Sequence, residues 1–222
     1  MIRLCDILFS GLTLIFLSPF LLLICLVLRF TGEREVFYFQ ERVGLNGESF
    51  RLLKFATMLK NSPNIGTQSL TVKDDLRVLP FGKILRKTKI NELPQLINVF
   101  KSDMSLIGPR PLTRQHFNLY RSEVRFGLQK TKPGLSGIGS IAFRDEELLL
   151  ADKTSASLFY EMKIAPFKGD LELWFTKNRT FSNYLKLILV TVAVIIGMKP
   201  RILWLIYNDL PEPPSEFKKI LY

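Results

Sequence analysis

An amide and a carboxylate stand side by side at Asn91-Glu92, and four cations precede them within seven residues: Lys83, Arg86, Lys87 and Lys89. Farther on, Gly108-Pro109-Arg110-Pro111 sets another guanidinium on a stiff turn. Cations at this density beside one acidic group suit a phosphorylated substrate, because guanidinium and ammonium groups offset phosphate charge and arginine does so with two parallel hydrogen bonds. Asn91 is a strong N-cap type, Pro94 falls in the first turn, and Leu93, Leu96, Ile97 and Phe100 recur at helical spacing. A helix is therefore predicted to begin at Asn91, offering unpaired N–H groups and the positive end of its macrodipole to an anion. The same residues equally describe an ordinary capped helix with a solvated basic approach.

The elements that must position these groups follow from the flanking sequence. Ile7 to Leu28 is an uncharged run of twenty-two residues, long enough to cross a bilayer core of about 30 Å as a helix. Ser18-Pro19 lies in its middle, and proline removes a helical hydrogen bond, so a re-entrant helix-break-helix competes with a spanning helix; the residues alone lean to spanning. Arg3 before the run and Arg29 and Arg34 after it put both ends on the cytoplasmic face. A cleaved signal peptide does not fit, since the run is long and no small-residue cleavage site follows. Glu35 to Phe55 reads as a β-hairpin turning at Asn46-Gly47, where both residues tolerate positive φ. Lys54 and Arg42 lie on it, and solvation at a hairpin edge is their simplest reading. Residues 61–75 form a polar loop, in which Asp74-Asp75 are either solvated or Mg²⁺ ligands. Leu112 to Lys130 is expected to form a helix with a basic face, and Leu187 to Met198 a helix too short to span and suited to burial or the membrane interface. The tail from Pro211 is expected to be extended or disordered.

Composition narrows the class. The chain has 222 residues, a formal charge of +11 and 47% hydrophobic residues, so its partners are anionic and part of it meets lipid. A single histidine, His116, excludes a His-based zinc site or a Ser-His-Asp hydrolase. Cys5 and Cys25 lie in or beside the apolar run without metal spacing and read as reduced packing residues. A nucleic-acid module is disfavoured, because no aromatic stacking platform is interleaved with the cations. The Gly137-Ile138-Gly139 run follows no clear strand and is not a dinucleotide fingerprint.

The segment KILRKTKINELPQLINVFKSDMSLIGPRPL resembles the signature of the bacterial sugar transferases, the monotopic phosphoglycosyl transferases that begin glycan assembly on a polyprenyl-phosphate carrier. Gln40, Arg42, Gly44 and Gly47, then Lys54-Phe55-Ala56-Thr57-Met58, and Lys132-Pro133-Gly134-Leu135-Ser136-Gly137 resemble further family segments, and Arg144 falls at the place of a family arginine that contacts phosphate. The resemblance implies transfer of a phospho-sugar from a nucleotide diphosphate-sugar, usually UDP-linked, to polyprenyl phosphate at the cytoplasmic face of the bacterial inner membrane, with release of the nucleoside monophosphate. It implies Mg²⁺ as cofactor, with Glu92 as a metal ligand, and Lys54, Arg86, Arg110 and Arg144 as phosphate- or substrate-binding residues. Its partners would be nucleotide-sugar, polyprenyl phosphate and membrane lipid, with no nucleic acid; a homo-oligomer is compatible with it. It also turns the N-terminal run into a re-entrant hairpin broken at Ser18-Pro19.

The expected fold is α/β, mostly helical with a small hairpin-built β-sheet, preceded by that membrane helix. Residues 1–32 form the membrane segment, 33–210 the transferase domain with interfacial helices and an acidic insertion at about 145–169, and 211–222 the tail. One departure bears directly on the chemistry. The family pair at 91–92 is usually Asp-Glu, with the Asp as nucleophile, whereas this chain has Asn91. A neutral amide oxygen is a poor nucleophile. Three accounts stand: Glu92 attacks; Glu92 and Mg²⁺ assist direct attack by the lipid phosphate; or Asn91 marks a scaffold that binds nucleotide-sugar without turnover.

Overall fold

The computed structural model describes residues 1–64, 75–151 and 155–221. Helix α1 (Ile2–Phe30) is one 29-residue helix, roughly 43 Å long at the standard rise per residue. The break expected at Ser18-Pro19 is not a loss of helix. Pro19 cannot donate to the Ile15 carbonyl, and the Ser18 hydroxyl donates to that carbonyl instead, at 2.8 Å. In an apolar surrounding this satisfies the one backbone acceptor that proline orphans. Asp6 and Ser10 at one end of the helix, and Ile24 and Leu28 at the other, are buried against the rest of the chain, while no residue between Ser10 and Ile24 is buried. Leu12, Ile15, Phe16, Leu22 and Leu23 are exposed.

Strands β1 (Phe37–Val43) and β2 (Ser49–Phe55) form the expected antiparallel hairpin, with Tyr38 opposite Lys54. Asn46 and Gly47 both take positive φ, 57° and 78°, as their turn requires. Helix α2 (Pro80–Lys87) begins with proline at its first position, a site where the missing N–H is harmless. The next helix, α3 (Gln95–Lys101), is capped by Pro94; Asn91 sits one turn earlier, in a 3₁₀ turn over Ile90–Glu92. Asn91 is therefore not the helix N-cap. The left-handed conformation of Lys89, φ 59°, swings the chain out of α2 into that short turn, and the helical register restarts only after the proline.

Asn98 ties α3 to β2, accepting from the Leu53 N–H at 3.0 Å and donating to the Arg51 carbonyl at 2.8 Å. Arg3 reaches the last carbonyls of α3, Val99 and Phe100, at 2.6 and 2.7 Å. Strand β3 (Ser105–Ile107) pairs in parallel with β4 (Gly134–Ser136). Their glycines permit a backbone-on-backbone approach: a Cβ on Gly134 would lie 2.1 Å from the Gly108 nitrogen, and one on Gly137 2.1 Å from the Gly108 oxygen.

The single helix expected over 112–130 is two, α4 (Arg114–Asn118) and α5 (Ser122–Gln129). Short helices α6 (Ile138–Ala142), α7 (Glu146–Ala151) and α8 (Ala156–Phe159) lead through a π-turn over Tyr160–Ile164 into α9 (Ala165–Lys177). Leu149, Leu150, Tyr160, Ile164 and Phe167 from this stretch are core residues. Helix α10 (Phe181–Ile195) buries Tyr184, Leu187, Val190 and Val194 on one face and exposes Leu189, Val192 and Ile195 on the other. After α11 (Ile202–Ile206) the tail forms helix α12 (Ser215–Leu221) rather than an extended or disordered end. Phe217 is the reason: it is fully buried and its ring meets Phe143 and Phe167 at 5.5 and 6.0 Å.

Candidate active site

A cavity of about 1030 Å³ opens between the hairpin, the 90–92 turn, the Gly108–Pro111 loop and α10. Lys54, Arg86, Asn91, Glu92, Arg110 and Arg144 all line it. Residues from four separate parts of the sequence thus meet at one wall, each brought by a different device: Lys54 by hairpin register, Arg86 by the last turn of α2, Asn91 and Glu92 by the 3₁₀ turn, Arg110 by the loop after β3. Ser18 and Pro19 do not line it.

Glu92 is the electrostatic centre. Its carboxylate lies 3.8 Å from the Lys54 ammonium and 3.6 Å from the Arg110 guanidinium. Burial would raise this carboxyl, but Lys54, Arg110, Lys89 and Arg86 outweigh it and hold the group down to about 2. Burial drives the Lys54 ammonium down to about 7, against the pull of Glu92 and with the repulsion of Arg42, Arg110 and Arg86 added. The Arg110 guanidinium is raised, by Glu92 first, against burial, with Glu146 adding to it. The wall is a carboxylate fixed in its anionic form among surplus positive charge.

Arg42, for which solvation was the simplest reading, is half-buried at the same wall. It donates to the Pro111 carbonyl at 3.0 Å and to Gln40, and burial lowers its guanidinium to about 10, with Arg110 adding to the shift. Its alternation with Gln40 on the cavity side of β1 was the available sequence signal. Arg144 lines the cavity while donating to the Val194 carbonyl near the end of α10. Asn91 is buried and its Oδ1 has no hydrogen-bond partner among the described residues.

Of the Asp74-Asp75 pair only Asp75 is described, and its carboxylate is engaged by Arg77. It is buried and both of its oxygens are held between 2.6 and 3.1 Å, while Asp74 lies outside the described residues. Among the described residues no group of three or more His, Cys, Asp or Glu could hold an ion. Beside the cations, the Glu92 carboxylate and the unpartnered Asn91 Oδ1 are hard oxygens, a set that fits Mg²⁺ only together with substrate phosphates and water.

A second group of polar residues in the same cavity was not singled out by sequence. Lys168 on α9 is buried, its ammonium pairs with Glu146 and lies 5.4 Å from the Phe143 ring. The rings of His116 and Tyr160 lie 5.0 Å apart, and burial lowers the imidazole to about 4, so it is neutral at physiological pH. Just behind, Glu172 accepts from the Arg110 N–H at 3.1 Å, and burial pushes its carboxyl up to about 7.

The family description "Bacterial sugar transferase" matches residues 1–198. Exopolysaccharide production protein ExoY of Sinorhizobium fredii is 36% identical over 155 residues, 64% of this chain and 68% of that protein. A UDP-N-acetylgalactosamine-undecaprenyl-phosphate N-acetylgalactosaminephosphotransferase of Aeromonas hydrophila is 38% identical over 134 residues, 60% of this chain and 31% of that one. A UDP-glucose:undecaprenyl-phosphate glucose-1-phosphate transferase of Klebsiella pneumoniae is 38% identical over 143 residues, 63% of this chain and 30% of that one. The chain spans less than a third of the length of these last two relatives. It belongs to the bacterial sugar transferase family.

Proposed function

We propose that this bacterial sugar transferase is a phosphoglycosyl transferase that moves a sugar phosphate from a UDP-sugar to polyprenyl phosphate at the cytoplasmic face of the bacterial inner membrane. An oxygen of the lipid phosphate attacks the phosphorus that bears the sugar. The P–O bond to the uridine-bearing phosphate breaks, its electrons leave with UMP, and polyprenyl-diphosphate-sugar results. The observation that carries this reading is the gathering of Lys54, Arg86, Lys89, Arg110 and Arg42 around Glu92 in a cavity that also runs along α10, where Val192 and Ile195 are exposed. Cations serve two polyanionic substrates, and an apolar helix beside them serves a lipid tail.

Glu92 acts best as an anchor. A carboxylate held near its anionic limit by flanking cations is a weak nucleophile but keeps Lys54 and Arg110 oriented toward phosphate oxygens. Mg²⁺ belongs to the proposal: Glu92 and the Asn91 amide oxygen would hold it, and it would offset charge on the diphosphate. The membrane segment fits a one-sided arrangement. Both ends of α1 bury residues against the same domain, which supports a reading in which both lie on one side of the bilayer and the uncovered middle around Ser18-Pro19 enters a single leaflet.

A second reading rests on Asn91. Without the family aspartate, the chain would bind nucleotide-sugar as a membrane scaffold and turn nothing over. UMP release from UDP-sugars by detergent-solubilised protein, with and without polyprenyl phosphate and Mg²⁺, separates the two. Release that needs the lipid establishes the transferase, and binding without release establishes the scaffold.

A further inference from the structure

The cavity wall carries two polar groups of different electrical character, and the reaction proposed above uses only one. Around Glu92 the wall is strongly cationic. In the second group Lys168 is neutralised by Glu146, and His116 is a neutral imidazole beside Tyr160. The Glu146 side chain is 22% exposed and the Lys168 side chain 3%, so the carboxylate is the partner that faces the open space. Ser140 on α6 lines the same space, and its buried Oγ has no hydrogen-bond partner among the described residues. A buried hydroxyl left unpaired costs about 1–3 kcal/mol, which a ligand hydroxyl would recover.

Charge decides what can sit against this group. Phosphate would meet the Glu146 carboxylate and be repelled. A neutral polyhydroxylated group would not, since its hydroxyls donate to the carboxylate and exchange with Ser140 Oγ. One donor molecule would set its diphosphate against the Glu92 group and its neutral end against the adjoining Glu146 group, with Arg110 in the field of both carboxylates.

Resting on the nucleotide-sugar reading, we propose that the Ser140, Glu146 and Lys168 part of the cavity wall binds the sugar of the donor and sets which hexose is accepted. Glu146 accepts hydrogen bonds from ring hydroxyls, Lys168 holds that carboxylate in place, and Ser140 bonds one further hydroxyl. Epimers that move a hydroxyl away from Glu146 leave it desolvated and unpaired, which is the kind of mismatch that rejects a substrate strongly.

The test is calorimetric titration of the full chain in detergent with UDP, UDP-glucose, UDP-galactose and their 2-acetamido counterparts, repeated on Glu146→Gln and Ser140→Ala. Glu146→Gln is expected to weaken the preferred UDP-hexose about tenfold and to narrow its margin over the other three, while affinity for UDP holds or rises because a carboxylate has left the field of Arg110. Ser140→Ala touches no ion pair and is expected to act in the same direction by a smaller factor. Equal loss for UDP and UDP-hexose would place the nucleoside, not the sugar, at this group and overturn the proposal. Unchanged selectivity in both folded variants would overturn it too. Wild-type protein that binds neither UDP nor any UDP-hexose would instead remove the nucleotide-sugar reading itself, and this inference with it.

Discussion

Tyr184 on α10 donates a hydrogen bond of 2.8 Å to the carboxylate of Asp6 on α1, closing a separation of 178 residues. The same oxygen of Asp6 accepts from the Ser105 hydroxyl at 3.0 Å and the Leu106 N–H at 2.8 Å. One buried carboxylate thus ties the first turns of the membrane helix to the strand that leads into Arg110. Asp6→Ala would leave two buried donors and one part-buried donor without an acceptor, at about 1–3 kcal/mol for each buried one. The expected outcome is a protein that still partitions into membranes, because the apolar face of α1 is untouched, but melts at clearly lower temperature in detergent. Asp6→Asn, which keeps one acceptor oxygen, should fall between. A melting temperature unmoved by Asp6→Ala would show that this contact is not what fixes α1.

Glu92→Gln removes the negative charge that Lys54 and Arg110 share. Lys54 and Arg110 lose their common partner and the repulsion among the arginines is unrelieved. Turnover is expected to fall at least 100-fold, while affinity for UDP holds or rises because an anion has left an anion-binding wall. Turnover equal to wild type would sink the anchoring role.

Much of this was legible in the sequence, and the residues show why some was not. The hairpin was readable because Asn46-Gly47 is a local device whose φ values are set by those two residues. Arg86 and Arg110 were readable from residue types, whereas Lys54 and Arg144 came only with the family resemblance; all four line one cavity with Asn91 and Glu92. The helix start was misplaced because Asn91 has the right side chain for a cap, yet the left-handed Lys89 decides where the chain points. The tail was misread because Pro-rich composition hides one residue, Phe217, whose partners lie fifty and more residues away. The second polar group of the cavity was hidden for the same reason. Glu146 and Lys168 looked like an acidic, polar insertion, and only packing of α7 against α9 turns them into a buried pair.

Asn91→Asp tests the meaning of the amide. The side chain is buried beside Glu92, so an aspartate there would face the same cations and be anionic at neutral pH. If the given chain works by direct attack of the lipid phosphate, Asn91→Asp should change turnover by no more than a few fold, and no protein-bound sugar phosphate should appear in single-turnover experiments with labelled donor. A rise of 100-fold or more, with a labelled protein intermediate, would assign the given chain to the scaffold reading.

Glu172 makes a pH prediction whose sign can be worked out. Its folded carboxyl stands at about 7 against an ordinary 4.5, raised by burial despite the Arg110 N–H and the nearby cations. Between those values the folded protein holds a proton that the unfolded chain has lost, so this group's contribution makes stability fall as pH rises from about 4.5 to about 7, by roughly 3 kcal/mol in all. His116 works in the opposite sense: it stays neutral when folded down to about 4 while the unfolded imidazole charges near 6.5, so its contribution makes stability rise with pH across that window. The two nearly oppose each other in the wild type. Glu172→Gln, isosteric with the neutral acid and still able to accept from the Arg110 N–H, removes one side of the balance. The difference in melting temperature, variant minus wild type, is expected to grow from pH 5 to pH 8 in favour of the glutamine. A difference that is flat across that range would mean Glu172 is ionised in the folded protein at neutral pH, and that the Gly108–Pro111 loop is held by a charge rather than by a buried neutral acid.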